Sequence, residues 1–168
     1  MMNAPEPWLR GADADVHPSI AATLFAFQQA REDLAQWTEG FSDEQMWWRP
    51  YGLAPLAFQI RHIAGSVERL TTYLEGRQLG EEQVRAAREE EQPAEMGRNA
   101  LLDLLNQSFA NAEAVMRGID PATLADRREV GRKRLPTTVA GLLTHIAEHT
   151  ARHVGEAIIT AKLVRQAS

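Results

Sequence analysis

Cysteine is absent from the 168-residue sequence. Its absence excludes disulfide bonds, zinc–thiolate sites and cysteine nucleophiles, so any metal ion must be bound by imidazole nitrogen and by oxygen. Long apolar runs are absent too, since no stretch approaches the ~20 residues of a membrane span. The opening stretch MMNAPEPWLRGADADVHP lacks the apolar region of a signal peptide. We therefore expect a cytoplasmic protein with no membrane partner.

A strong excess of one charge is also missing. The chain has 18 basic and 23 acidic residues and a formal net charge of −5, which argues against a nucleic-acid partner. No glycine-rich phosphate loop, GxSxG elbow or paired-carboxylate signature occurs. The length suits one domain. We expect residues 1–17 to form an N-terminal extension and residues 18–168 to form a single domain.

The hydrophobic periodicity is helical, and no segment shows the alternation of β-branched residues that is typical of strands. Four long segments carry apolar residues at helical spacing, namely residues 18–40, 55–76, 96–117 and 138–165. Proline near the start or glycine near the end marks several of their boundaries. The pattern predicts an all-α fold, an antiparallel up-and-down four-helix bundle with short extra helices.

The segments between the long helices are rich in charged and aromatic residues. SDEQMWWRP predicts one helical turn capped by Ser42 or Asp43. EEQVRAAREEEQ predicts a charged helical connector with little to bury, whose acidic run is a solvated face. ADRREVGRKRLP predicts an irregular crossover, and its basic residues 127–134 either attract an anionic co-substrate or form a solvated loop. Trp47 and Trp48 either wall a ligand pocket or simply pack and plug the end of the bundle.

The stretch THIAEHTARHVGEA contains three of the five histidines at a spacing of four. Histidines one helical turn apart can chelate one ion, whereas His145 and His153 lie about 12 Å apart along the axis and cannot share one. Helical phase places His153 about 40° and His149 about 80° from the centre of the apolar stripe, with His145 about 120° away. The pair His149 and His153 is therefore predicted to face the bundle interior, where this architecture builds its metal sites.

The two remaining histidines have weaker signals. His62, in FQIRHIAGSVERL, lies about 120° from the apolar stripe of its helix, so periodicity makes it only a candidate ligand. His17 precedes Pro18 at a helix start and is expected to lie at the surface or to cap the helix.

Three segments together, FSDEQMWWRP, APLAFQIRHIAGSVERLTTYLEG and LLTHIAEHTARHVGEA, resemble the DinB/YfiT-like superfamily of four-helix-bundle metalloproteins. The resemblance implies one divalent metal ion, such as zinc, nickel or iron, bound by His62, His149 and His153. It places His145 one helical turn before the ligand pair, in a structural role or in contact with the ligands but not bound to the metal. Glu156 stands where many relatives have glutamine, so the surroundings of the metal are expected to differ.

The resemblance also implies a function. Relatives include thiol S-transferases that use low-molecular-weight thiols, and many others are described as metal-dependent hydrolases. We therefore expect a metal-dependent enzyme that acts on small electrophilic molecules, with a water or thiolate at the metal as the nucleophile, and a homodimer. The alternative is a non-catalytic metal-binding protein with a stress-response or interaction role. Trp47 and Trp48 are the candidate pocket residues.

Overall fold

The computed structural model describes residues 5–11, 13–92 and 94–167. The helices are α1 (Pro18–Trp37), α2 (Asp43–Trp47), α3 (Leu56–Leu74), α4 (Glu81–Glu89), α5 (Arg98–Arg117) and α6 (Val139–Ala167), and the strands are β1 (Arg127–Val130) and β2 (Leu135–Thr138). The long helices α1, α3, α5 and α6 coincide with the four periodic segments, so the predicted four-helix bundle is confirmed. None of the helices in these ranges is both long and apolar enough to cross a bilayer.

The order of the helices around the bundle differs from their order in the chain. α1 packs against α5 and α6, and α3 packs against the same two helices. Consequently α1 and α3 lie diagonally opposite each other, as do α5 and α6. Their shared core includes Phe27 and Phe109, which are fully buried and stack with ring centroids 4.2 Å apart.

The short helix α2 begins with a reciprocal cap, as its sequence predicts. The Ser42 hydroxyl accepts a hydrogen bond from the Gln45 backbone N–H at 3.2 Å, and Gln45 Oε1 accepts one from the Ser42 backbone N–H at 2.9 Å. Each bond pairs a backbone donor that would otherwise lack a partner inside the helix. Met46 of α2 is fully buried, so the cap also holds a core residue in place.

We expect Ser42→Ala to lower the free energy of unfolding by about 1 kcal/mol, because the backbone donor loses its cap. Urea denaturation measures the change. Ser19→Ala is the matched control, since Ser19 is exposed in the first turn of α1 and the His17 ring, not its own hydroxyl, caps that helix. An equal loss of stability in both variants would contradict the assignment.

The predicted irregular crossover before α6 is wrong, because β1 and β2 form an antiparallel hairpin in which Val130 pairs with Leu135. Gly131 begins the connecting loop with a φ of 71°, a left-handed conformation that glycine adopts without strain. Local sequence disfavours a strand here, since charged residues and Pro136 are poor strand formers. The hairpin contacts α3 and α6, and this packing stabilises the strands despite their unfavourable composition.

The basic side chains of the hairpin mostly have partners within the protein. Arg127 and Arg134 both pair with Glu129, at 3.0 and 3.2 Å. Arg128 donates to the Leu74 carbonyl at the end of α3 at 2.8 Å. These pairings favour the solvated-loop interpretation over a free cationic surface.

The prediction that the α4 connector has little to bury holds for α4 itself, none of whose residues is buried, but the prediction that its acidic run is a solvated face is wrong at Glu90. Glu90, which directly follows α4, is only 6% exposed, whereas its neighbours Glu89 and Glu91 are exposed. α4 packs against α3, so the segment lies across that helix. A carboxylate is buried only where it finds partners, and the partners of Glu90 belong to the candidate site.

Candidate metal centre

Three histidines from two helices meet between α3 and α6. His62 projects from α3, and His149 and His153 project from α6 one turn apart. One ring nitrogen from each lies within 4.8 Å of the other two. The ring centroids of His62 and His153 are 4.4 Å apart, and those of His149 and His153 are 4.5 Å apart. The arrangement offers three imidazole donors to one ion.

The His62 ring is held by groups behind it. Its Nδ1 lies 2.8 Å from Oε2 of Glu90, and its face stacks on Phe58 with centroids 5.3 Å apart. An ionised carboxylate can only accept a hydrogen bond, so Nδ1 carries the proton and Nε2 keeps its lone pair. Oγ of Ser66 lies 3.4 Å from that Nε2. His62 thus presents Nε2 as the donor atom for a metal.

The His153 ring is fixed in the same way. Its Nδ1 lies 2.8 Å from Oε1 of Gln59 and 3.1 Å from Oε2 of Glu156. Both partners are acceptors, so Nδ1 again carries the proton and Nε2 is free. Metal-binding histidines typically donate their second ring N–H to such a partner, which sets the tautomer and the ring orientation. Glu156 is thus in contact with the His153 ring.

The electrostatics of the cluster keep the two α6 histidines neutral. Burial, together with the charges that His153 and His62 would carry, lowers the pKa of His149 from 6.5 to about 4. Burial and the charge of His62 also lower the pKa of His153, against the opposing effect of Glu156. Neutral imidazole is the form that binds a metal, so at neutral pH these side chains need not lose a proton first.

The remaining histidines lie outside this cluster. His145 is exposed, and its Nδ1 pairs with Oε1 of Glu148 at 2.8 Å. Its ring approaches His149 with centroids 5.5 Å apart, although it is not among the three converging donors. His17 caps α1 by accepting from the Ser19 backbone N–H at 3.3 Å, which confirms its predicted role.

A pocket of about 630 Å³ lies beside the partners of His153. Gln59 and Glu156, the two partners of His153, form part of its wall. Leu53 and Ile159 add apolar surface, and Arg152 adds a cation. None of the three converging histidines lines this pocket, so it meets the cluster through Gln59 and Glu156, which contact Nδ1 of His153.

The two tryptophans line a different pocket. Trp47 and Trp48 border a cavity of about 590 Å³ together with residues 43–45 and the end of α6, and none of the three converging histidines lines it. The Trp47 indole N–H donates to the Met96 carbonyl at 2.9 Å, which ties α2 to the start of α5. Trp47 therefore has a packing role, while Trp48 is 42% exposed.

Glu90 and Gln59 are the site residues that sequence reasoning missed. Gln59 is a polar residue on the buried stripe of α3, one turn before His62, and a buried polar position of that kind signals a hydrogen-bonding role. Gly65 is a second signal, because glycine in the middle of a helix is unfavourable and at this position the Glu90 carboxylate approaches closely. Nothing local separates Glu90 from its exposed neighbours Glu89 and Glu91.

The fold and the cluster define a class, that of four-helix-bundle proteins with a three-histidine candidate metal centre. The chain belongs to the DinB superfamily, whose family model matches residues 26–157. It is also similar in structure to YfiT from Bacillus subtilis, described as a probable metal-dependent hydrolase with an unusual four-helix bundle topology. That match has a TM-score of 0.65 and 14% identity, and covers 90% of this chain and 91% of the other, so it shows a shared fold. No curated protein gives a significant match.

Proposed function

We propose that this DinB-superfamily protein binds one divalent metal ion through His62, His149 and His153 and acts as a metal-dependent enzyme on small electrophilic molecules. The convergence of three imidazole nitrogens within 4.8 Å of one another carries the proposal. The donor set fits a metal because neighbours hold Nδ1 of His62 and of His153, which leaves Nε2 of each ring as the nitrogen for a metal. Imidazole donors suit zinc, nickel and iron.

Three protein ligands leave coordination positions open, which is typical of catalytic rather than structural sites. A bound divalent ion supplies Lewis acidity, which polarises an electrophile or activates a water or thiol nucleophile. The likeness to YfiT, described as a probable metal-dependent hydrolase, supports hydrolysis. The resemblance of the histidine motifs to thiol S-transferases supports transfer to a low-molecular-weight thiol.

The pocket beside His153 is the proposed binding place for the substrate. Its apolar surface from Leu53 and Ile159 can bury the non-reacting part of a small molecule. Arg152 pairs with Glu148 through Nη2 at 2.7 Å and also lines the pocket, so it adds positive charge there for an anionic group, such as the carboxylate of a thiol co-substrate. Glu156 contacts Nδ1 of His153 and also lines the pocket, so it links the pocket wall to the outer side of a proposed ligand.

We expect activity that depends on the metal. The protein is stripped with a chelator, reloaded separately with zinc, nickel or iron(II), and assayed against an activated ester and against several low-molecular-weight thiols paired with a generic electrophile. Reloading should raise turnover by at least about 100-fold, because the nucleophile then has a Lewis acid beside it. His145→Ala, which alters an exposed histidine outside the cluster, should retain that gain.

A protein that binds metal but turns over neither the ester nor any thiol would support the alternative, a non-catalytic metal-binding protein with a stress-response or interaction role. Homodimerisation and a cytoplasmic location stay predictions from the resemblance and from the sequence. Exposed apolar side chains such as Tyr51 and Ile159 would suit a contact between two copies.

A further inference from the structure

Glu90 is a buried carboxylate that links the α4 segment, here residues 81–92, to the histidine cluster. Its side chain accepts a hydrogen bond from Nδ1 of His62 at 2.8 Å and is also paired with the Arg69 guanidinium, whose Nη2 lies 3.3 Å from Oε2. His62 and Arg69 lie seven residues apart on α3 and therefore on one helix face. One carboxylate thus joins a histidine of the cluster to a fixed cation.

Gly65 provides the space that this contact requires. It lies between His62 and Arg69 on the same face of α3, and a Cβ atom at this position would overlap the Glu90 carboxylate. Glycine inside a helix costs about 1 kcal/mol relative to alanine. Despite this cost, glycine is the residue at position 65, where Glu90 crosses the helix.

The backbone of the α4 segment is docked on α3 as well. Nη1 of Arg61 donates to the carbonyls of Glu90 and Gln92, at 3.2 and 2.7 Å. At the other end of the segment, Nε2 of Gln83 donates to Oγ1 of Thr72 at 2.9 Å. The docked segment therefore depends on contacts along three turns of α3, with Glu90 as its buried anchor.

The charge on Glu90 suits this position. The Arg69 guanidinium pairs with the same carboxylate that accepts a hydrogen bond from His62, so the contacts around Glu90 suit an anion. An anionic acceptor at Nδ1 makes the opposite nitrogen of an imidazole a stronger donor and fixes the ring's orientation.

We propose that Glu90 is a positioning residue for the metal centre, and that docking of the α4 segment and metal binding stabilise each other. The proposal rests on the metal site of the proposed function. Metal binding favours the His62 orientation that Glu90 holds, so by linkage it favours the docked segment to the same extent that docking favours the metal. The α4 segment should therefore be docked more stably when the metal is bound.

The test compares metal affinity, measured with zinc against a competing chelator, in the parent and in two kinds of variant. Glu90→Ala removes the carboxylate, and Gly65→Ala displaces it without removing any polar group. Each should weaken zinc binding about 10- to 100-fold. Glu91→Ala, an exposed neighbour, and Gly155→Ala, a helix glycine with open space around it, are the matched controls and should bind like the parent.

Two further readouts separate positioning from a purely structural role. Glu90→Gln keeps an oxygen acceptor for His62 and should lose less affinity than Glu90→Ala, although both variants break the pairing with Arg69. Hydrogen exchange of the amides in residues 81–92 should slow when zinc is added to the parent, and this slowing should be absent in Gly65→Ala. Circular dichroism at the assay temperature checks that each variant is folded. If Glu90→Ala is unfolded, the zinc affinities of Glu90→Gln and Gly65→Ala test the proposal.

Affinities in Glu90→Gln and Gly65→Ala equal to that of the parent, or exchange in residues 81–92 that ignores zinc, would overturn the proposal while leaving the metal site intact. If the parent itself binds no divalent metal, the proposed function fails and the coupling fails with it. Weakened binding confined to the Glu90 and Gly65 variants establishes the positioning role.

Discussion

Replacing His149 with alanine should abolish stoichiometric metal binding. His149 lies one turn from His153 on α6, and its ring centroid is 5.2 Å from that of His62 across the helix interface, so it contacts both other histidines of the cluster. Its loss leaves one donor on each helix, and two imidazoles without a chelating pair hold a divalent ion far more weakly than three. Metal analysis after gel filtration should give about one ion per chain for the parent and none for the variant.

His145→Ala is the matched control, since it removes a histidine from the same helix one turn away. Its Nδ1 pairs with exposed Glu148 rather than with the cluster, so the variant should retain one ion per chain, with at most a modest loss of affinity. Loss of the ion from His145→Ala together with its retention in His153→Ala would show that the other i, i+4 pair binds the metal, and the assignment would then be wrong.

The metal-free protein should lose about 1–2 kcal/mol of stability between pH 8 and pH 5, because His149 resists protonation in the folded state. Folding lowers the pKa of His149 from 6.5 to about 4, so between these values the unfolded chain binds a proton that the folded chain does not. Acid therefore favours unfolding, and stability falls as the pH drops through 6.5. The lowered pKa of His153 acts in the same direction.

Urea denaturation in the presence of a chelator measures this dependence. Stopping at pH 5 keeps most carboxylates ionised, so the slope reports mainly on imidazoles. His149→Gln should reduce the slope because the variant lacks this imidazole, with His153 supplying the remaining dependence, whereas His145→Gln should keep the parent slope. A parent whose stability does not change between pH 8 and pH 5 would contradict the burial of a neutral cluster.

Local patterns were sufficient to predict the helices and to place two of the three histidines of the candidate site, His149 and His153. The apolar stripes follow directly from the helical period, and the i, i+4 spacing places His149 and His153 on one face of α6 whatever surrounds it. The off-phase position of His145 likewise leaves it outside the cluster in the structure. The cap at Ser42 is another local feature, since its partner lies three residues away.

Contacts between distant segments were beyond local patterns. Periodicity put His62 on the flank of α3, but α3 and α6 are neighbours around the bundle, and a flank position then faces the interface. Glu90 lies 28 residues from His62, and the acidic run around it is uniform in sequence. The β1–β2 hairpin was missed for the same reason. Its composition disfavours strands, and the strands pack against α3 and α6, which are distant in sequence.

The sequence by itself determined the four helices and the placement of His149 and His153 on one face of α6, because both depend on a repeat within one segment. Only the tertiary structure decided that α1 lies diagonally opposite α3, that His62 meets the α6 pair, and that Glu90 crosses α3 at Gly65. Those features depend on how the whole core packs, where burial of a charged group such as Glu90 is set by partners from another segment and not by its own neighbours in the chain.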